Sequence, residues 1–173
     1  MSKTSNSEGT LTGKTDDGIK WKYKGGILNG LKHGKGKFTY AGGAVYEGDF
    51  VDDQYNGKGK FTWPNGAVYE GDFVGNIRSG KGKLIMADGA VYEGDWVDDK
   101  QTGKGKLTLP SGAVYVGDFV DFKQTGKGKV TLPDGTVYEG DWVNGKQTGK
   151  GKLTTLKDGT VYEGDWLNGN PVS

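Results

Sequence analysis

The sequence has no cysteine, one histidine, four prolines and no long apolar run. Without cysteine there is no disulfide framework and no thiolate metal site, and the redox compartment is left open. A triad needs a histidine beside a nucleophile and an orienting acid, and His33 alone offers little to assemble. It stands just before a Gly-x-Gly, where later segments carry Asn56, Ser79 or Thr102, and reads as an exposed loop residue. Met1 to Thr15 is polar, with no stretch apolar enough for a signal peptide or a membrane span. The expected location is cytoplasmic, or at the periphery of a membrane.

An excess of charge is also lacking, with 23 Lys+Arg against 22 Asp+Glu. Acids and bases alternate locally, which argues against a nucleic-acid partner. Glycine-free stretches never exceed eight residues. A globular helix needs about ten or more, and each interior glycine costs it roughly 1 kcal/mol. Helix is not expected in the array.

What the sequence does have is glycine, 34 residues of it. Collagen would need glycine at every third position, which is not found. Disorder is opposed by the 12% aromatic content, spread evenly along the chain. Many tight turns remain, and they recur. A Tyr-x-Gly unit starts at Tyr23, Tyr46, Tyr69, Tyr92, Tyr115, Tyr138 and Tyr162, at intervals of 23, 23, 23, 23, 23 and 24 residues. Trp63-Pro64-Asn65-Gly66, Leu109-Pro110-Ser111-Gly112 and Leu132-Pro133-Asp134-Gly135 are β-turn sequences, in which proline presets φ and glycine accepts a positive one. Each unit then holds two short strands, Tyr-x-Gly-x-aromatic and Gly-x-Gly-x-apolar, joined by a loop of about six residues. Six hairpins in series form an all-β antiparallel meander.

Side chains alternate between the faces of a strand. Tyr138, Gly140 and Trp142 share one face, and Glu139 and Asp141 the other. The expected register sets Asp141 opposite Lys150, Glu139 opposite Lys152 and Trp142 opposite Gly149. Asp49–Lys58, Glu47–Lys60 and Phe50 over Gly57 follow in the second unit, and Asp72–Lys81 and Phe73 over Gly80 in the third. Opposite charges so placed contribute roughly 0.2–1 kcal/mol per pair. The glycines leave room for the aromatic rings to lie flat, and successive hairpins line those rings into a column.

The run Tyr-Glu-Gly-Asp-Trp-Val-Asn-Gly-Lys-Gln-Thr-Gly-Lys-Gly-Lys-Leu from Tyr138 to Leu153 resembles MORN repeats (membrane occupation and recognition nexus). The resemblance covers about Tyr23 to Gly169. It implies an elongated, single-layer, twisted antiparallel β-meander of 23-residue hairpins. Residues 1–22 are expected to be a partly disordered segment or a degenerate capping half-repeat, and 23–173 the array, with six full repeats and a truncated seventh from Tyr162. The first repeat departs from the pattern, with Ile27 where others have Phe or Trp, and Val116 replaces the usual Glu in the fifth. Such repeats serve as scaffolds, in protein–protein contacts and in homodimers, and the family name carries a phospholipid role.

Two apparent motifs fail. Gly140 to Lys146 matches most of a P-loop, but Gln147 stands where Ser or Thr is required and no helix follows. Asp52, Asn56 and Gly57 imitate part of a calcium loop, but Trp63 occupies the place of the bidentate Glu. Carboxylates paired with lysine across a strand are poorly suited to proton transfer. No catalytic residue, metal or cofactor is therefore expected.

The leading expectation is a non-catalytic scaffold that binds a protein or peptide, or a second copy of itself. Its contact face would be the aromatic column of Tyr46, Phe50, Tyr69, Phe73, Tyr92, Trp96, Tyr115, Phe119, Tyr138 and Trp142, with ring surfaces left accessible. The alternative is a peripheral membrane module. Lys20, Lys22, Lys24, Lys32, Lys35 and Lys37, read as lacking nearby acids, would attract anionic phospholipid at about 1 kcal/mol per residue.

Overall fold

A computed structural model of the chain describes residues 6–172. The expectation of disorder at the very N-terminus falls, for residues 1–5, outside the described part. The chain divides between Ala87 and Asp88 into two compact units. Among the described residues every regular element is a strand.

The first unit contains β1 (Ser7–Lys14), β2 (Lys20–Leu28), β3 (Leu31–Tyr40), β4 (Val45–Val51), β5 (Gln54–Thr62), β6 (Val68–Val74) and β7 (Ile77–Ile85). The second contains β8 (Val91–Val97), β9 (Lys100–Thr108), β10 (Val114–Val120), β11 (Lys123–Thr131), β12 (Val137–Val143), β13 (Lys146–Thr154), β14 (Val161–Leu167) and the short β15 (Asn170–Pro171). In each unit every strand pairs antiparallel with its sequence neighbour. β1 pairs with β2 through Gly9–Gly25 and Leu11–Tyr23, the register in which β3 meets β4 through Gly36–Gly48 and Phe38–Tyr46. β1 is thus placed as the return strand of a half-repeat.

The turns between repeats form as the Pro-x-Gly sequences require. Gly66 N donates to the Trp63 carbonyl at 3.0 Å, and Ala67 N donates to Asn65 Oδ1 at 3.0 Å. The connection inside each hairpin differs from expectation. In place of a six-residue loop there is a two-residue turn with both residues left-handed, as at Asp52 (φ 46°) and Asp53 (φ 70°). That conformation matches the twist of the flanking strands, and it lets the return strand begin three residues earlier, at Gln54.

The earlier start changes the register. Glu47–Lys60 and Gly48–Gly59 pair as expected, but a bulge follows and sets Phe50 against Tyr55 rather than Gly57. Likewise Phe73 faces Arg78, and Trp142 faces Gln147. The expected pairings of Asp with Lys and aromatic with Gly occur with the preceding repeat, as Lys35–Asp49, Gly34–Phe50, Lys127–Asp141 and Gly126–Trp142.

Asp49 holds the bulge together. Its Oδ2 accepts from Lys58 N at 2.9 Å, its carbonyl accepts from the Tyr46 hydroxyl at 2.8 Å, and its Oδ1 meets Lys35 Nζ at 2.6 Å. Gly57 has φ +112°, which an L side chain rarely adopts, and a Cβ there would press on the Asp49 carboxylate. Gly59 is required for another reason, since a Cβ would lie 2.3–2.5 Å from the Tyr46 ring and hydroxyl.

The rings form the core. In the first unit Tyr23, Phe50, Tyr46, Phe73 and Tyr69 follow one another edge to face, with centroids 5.0, 5.1, 5.2 and 5.1 Å apart. In the second, Trp96, Tyr92, Phe119, Tyr115, Trp142, Tyr138 and Trp166 do the same. Each such contact adds about 0.5–1.5 kcal/mol beyond area burial.

Candidate functional site

The expected column of rings exists, but its rings are not accessible. The ten residues from Tyr46 to Trp142 named above for the contact face are between 0 and 6% exposed. Each Tyr lies across the glycines of its hairpin and each Phe or Trp plugs the space between two Tyr rings, so their surfaces are spent on one another. The Trp142 indole donates inward, to the Gly128 carbonyl at 3.0 Å, and Trp166 likewise to Gly151 at 3.2 Å.

Accessible rings on the same face lie elsewhere, in the first unit. Trp21, Tyr40, Phe61 and Trp63 are half-buried. Trp21 and Tyr40 oppose each other across β2 and β3, and Tyr40 and Tyr55 join their hydroxyls at 3.0 Å. With Lys32, Phe38, Asp53 and Asn76 they line a cleft of about 440 Å³. Trp21 stacks on Phe38 at 5.1 Å, and Phe61 meets Trp63 at 4.7 Å. Lys32 Nζ lies over the Trp21 ring at 5.1 Å while bonding Asp53 at 2.7 Å.

The turns fix one wall of this cleft. Asp53 Oδ1 accepts from Lys32 N at 2.9 Å, and Asn76 Oδ1 accepts from Tyr55 N at 2.8 Å. In return Asp53 N donates to the Lys32 carbonyl and Asn76 N to that of Tyr55, both at 3.0 Å. The second unit lacks equivalent rings: Gln101, Gln124 and Gln147 take the place of Tyr55, and Leu109 and Leu132 that of Trp63.

These rings are the residues that sequence reasoning missed. They sit outside the shared Tyr-x-Gly-x-aromatic pattern, so aligning the repeats hides them. The available signal is a difference between repeats: Tyr40 and Trp63 stand where later repeats have Met86, Leu109 and Leu132, and Tyr55 where they have Arg78, Gln101, Gln124 and Gln147.

The lysine cluster divides. Lys32, Lys35 and Lys37 are ion-paired with Asp53, Asp49 and Glu47 at 2.7, 2.6 and 2.9 Å, which corrects the reading that the cluster lacks nearby acids. The acids come from the next repeat, across a strand boundary not visible in a linear reading. Lys20, Lys22 and Lys24 are exposed, with no ion pair among the described residues. His33 lies within β3 rather than in a loop and is half-buried; its Nδ1 is buried without a hydrogen bond, 3.6 Å from Asp52 Oδ1.

The carboxylates of the opposite face are fixed in the ladder. The Lys104 ammonium, and after it the Lys127 backbone N–H, hold Asp118 below the usual carboxylate range. Lys127 and the Lys150 N–H do the same for Asp141.

The MORN repeat profile matches residues 23–45, 46–68, 69–91, 92–114, 115–137, 138–155 and 162–172. The chain belongs to the MORN repeat family. The structural reason is now visible: in the second to sixth repeats the MORN tyrosine, its two glycines and its aspartate build one bulge with a ring lying over glycine.

No curated protein sequence matches this MORN chain. Among solved structures it is similar to the TCP domain of SAS-4 from Drosophila melanogaster, determined in complex with a proline-rich motif of Ana2. The identity is 15%, the TM-score 0.52, and the match covers 89% of this chain and 88% of that one, a likeness of fold alone. Streptogramin B lyase (14% identity, TM-score 0.20, 94% of this chain and 59% of that one) and virginiamycin B lyase from Staphylococcus aureus (14%, 0.18, 94% and 60%) are too remote in shape to carry an argument.

Proposed function

We propose that this MORN protein is a non-catalytic scaffold that binds an extended peptide segment of a partner protein in the aromatic cleft of its first unit. The observation that carries this reading is the contrast between the two ring sets. The column rings are consumed by mutual packing, whereas Trp21 and Tyr40 line a cleft with half-exposed surface, and Trp63 in the next repeat is half-exposed too, with the Arg78 guanidinium 5.9 Å over its ring. Aromatic and partly polar side chains around a concavity are what interface anchors are made of. The fold neighbour solved with a peptide motif supports a peptide as the class of ligand. The non-catalytic reading is supported by the carboxylates, which are held ionised by lysine and backbone donors and are ill placed to exchange protons.

The test is selection of peptides from a displayed library, compared with a Tyr40→Ala/Trp63→Ala variant and a Lys22→Ala/Lys24→Ala variant. Enriched peptides should lose binding to the first and keep it to the second. Peptides that ignore the ring variant, or none enriched, would refute the cleft. Binding of anionic vesicles lost only in the lysine variant would instead favour the phospholipid reading. Concentration-dependent mass in light scattering that disappears with the ring variant would make the occupant a second copy of the chain.

A further inference from the structure

We infer that the segment taken up beside the cleft, across Tyr40 and Trp63, is a polyproline II stretch with prolines three residues apart. This deepens the peptide-scaffold reading and rests on it; its grounds are spacing and hydrogen-bond donors.

Tyr40 and Trp63 occupy equivalent positions of consecutive repeats, each opening the turn that follows its return strand, with the half-buried Ala44 between them. Neighbouring strands lie about 4.8 Å apart, so equivalent positions two strands apart recur every ~9.6 Å. A polyproline II helix rises about 3.1 Å per residue with three residues per turn, and so presents the same edge every ~9.3 Å. Laid across the strands, such a helix stays in step with the rings. An extended β-strand repeats a face every ~6.6–6.8 Å and falls out of step within one repeat. The alanine puts only a methyl between the two rings.

The donors agree. Polyproline II has no internal hydrogen bonds and offers a row of bare carbonyls. The Trp21 and Trp63 indole N–H groups make no hydrogen bond to another described residue, in contrast to Trp142 and Trp166, which donate to backbone carbonyls of the protein itself. Rings with free indole donors are the recognition chemistry of grooves that bind proline-rich segments.

The test is calorimetric titration of the intact chain with three synthetic peptides of equal length and no charged residues. One carries Pro-x-x-Pro repeats, the second moves every second proline by one residue, and the third replaces proline with alanine. The first should bind on the order of tenfold or more tighter than the other two. Ala44→Leu, which fills the gap without removing a ring, should abolish that preference while leaving the melting profile in place. Equal affinity for all three, lost on Ala44→Leu, would overturn the proline inference and leave the peptide cleft standing. If none of the three binds while peptides from the displayed library do, the proline inference also falls. No peptide of either kind binding would overturn both.

Discussion

The Tyr92 hydroxyl donates a 2.9 Å hydrogen bond to the carbonyl of Asp95, three residues on in the same strand. Asp95 lies at the bulge between β8 and β9, where the ladder skips from Gly94–Gly105 to Trp96–Gln101. The Asp95 carboxylate accepts from Lys104 N at 2.9 Å on the same irregularity. One tyrosine thus satisfies a carbonyl that the bulge frees, and its ring covers Gly94 and Gly105. Tyr46, Tyr69, Tyr115 and Tyr138 repeat the contact with Asp49, Asp72, Asp118 and Asp141.

Tyr92→Phe keeps the ring and removes the donor, and should cost about 1 kcal/mol. Gly105→Ala presses a methyl against the ring, 2.5–2.7 Å from its atoms, and should cost about 1–3 kcal/mol through overpacking. Urea unfolding measures both. An alanine at 105 as stable as glycine would refute the ring-over-glycine geometry.

The same burial governs alkaline behaviour. Burial, and then the nearby Asp95 and Asp118 charges, push the Tyr92 and Tyr115 hydroxyls up from 10.0 to about 12. A raised folded value means that the neutral phenol is the form the fold stabilises. Its contribution is intact below pH 10 and is lost as pH rises from there through about 12. Phenolate absorbance should therefore show a class of late-titrating tyrosines whose ionisation accompanies unfolding. All nine tyrosines titrating together near 10 in the folded chain would contradict this.

Acid acts on the other face. Asp118 and Asp141 are held below 3.8 first by Lys104 and Lys127 and then by backbone N–H groups. A depressed folded value means that the carboxylate is the stabilised form, so its contribution is present above 3.8 and lost as pH falls through the folded value. Asp118→Asn should shrink the acid-induced loss of stability in a series of unfolding curves. An unchanged acid limb would remove this ladder from the account.

Much of this architecture was legible in the sequence. The period, the Pro-x-Gly turns and the shared face of Tyr138, Gly140 and Trp142 follow from spacing and side-chain alternation alone. The bulge did not: Asn29-Gly30, Asn144-Gly145 and Asn168-Gly169 do announce a two-residue turn with both residues left-handed, but nothing in the spacing marks the residue that the bulge leaves unpaired. Once that turn was read as a longer loop, Asp49 was matched to Lys58 within its hairpin, whereas its ion pair is with Lys35 of the previous repeat. Burial of the column was illegible for another reason. A sheet without a covering layer was expected to leave rings bare, and the way each Phe or Trp fills the space between two tyrosines depends on ring orientation. The cleft is hidden because Trp21 precedes the first full repeat and Tyr40 and Tyr55 are departures from the pattern.

Phe122 breaks the turn pattern at a cost. It is left-handed (φ 70°) where the corresponding turns have Asp53, Asn76 or Gly145. It donates its N–H to the Gln101 carbonyl but has no side-chain oxygen to accept from Gln101 N, as Asn76 does from Tyr55 N. Phe122→Asn should stabilise the chain by about 1 kcal/mol, since asparagine tolerates this conformation and supplies the acceptor. Thermal unfolding decides it, and a lower midpoint for the variant would show that the ring makes contacts worth more than the strain.

The division between structural and accessible rings is tested most directly by the indole N–H resonances of the isotope-labelled chain during titration with a Pro-x-x-Pro peptide. The five tryptophans report separately. Trp21 and Trp63 should shift in proportion to saturation, while Trp142 and Trp166, bonded to Gly128 and Gly151, stay in place. Shifts at Trp142 and Trp166 with Trp21 and Trp63 unmoved would contradict the account.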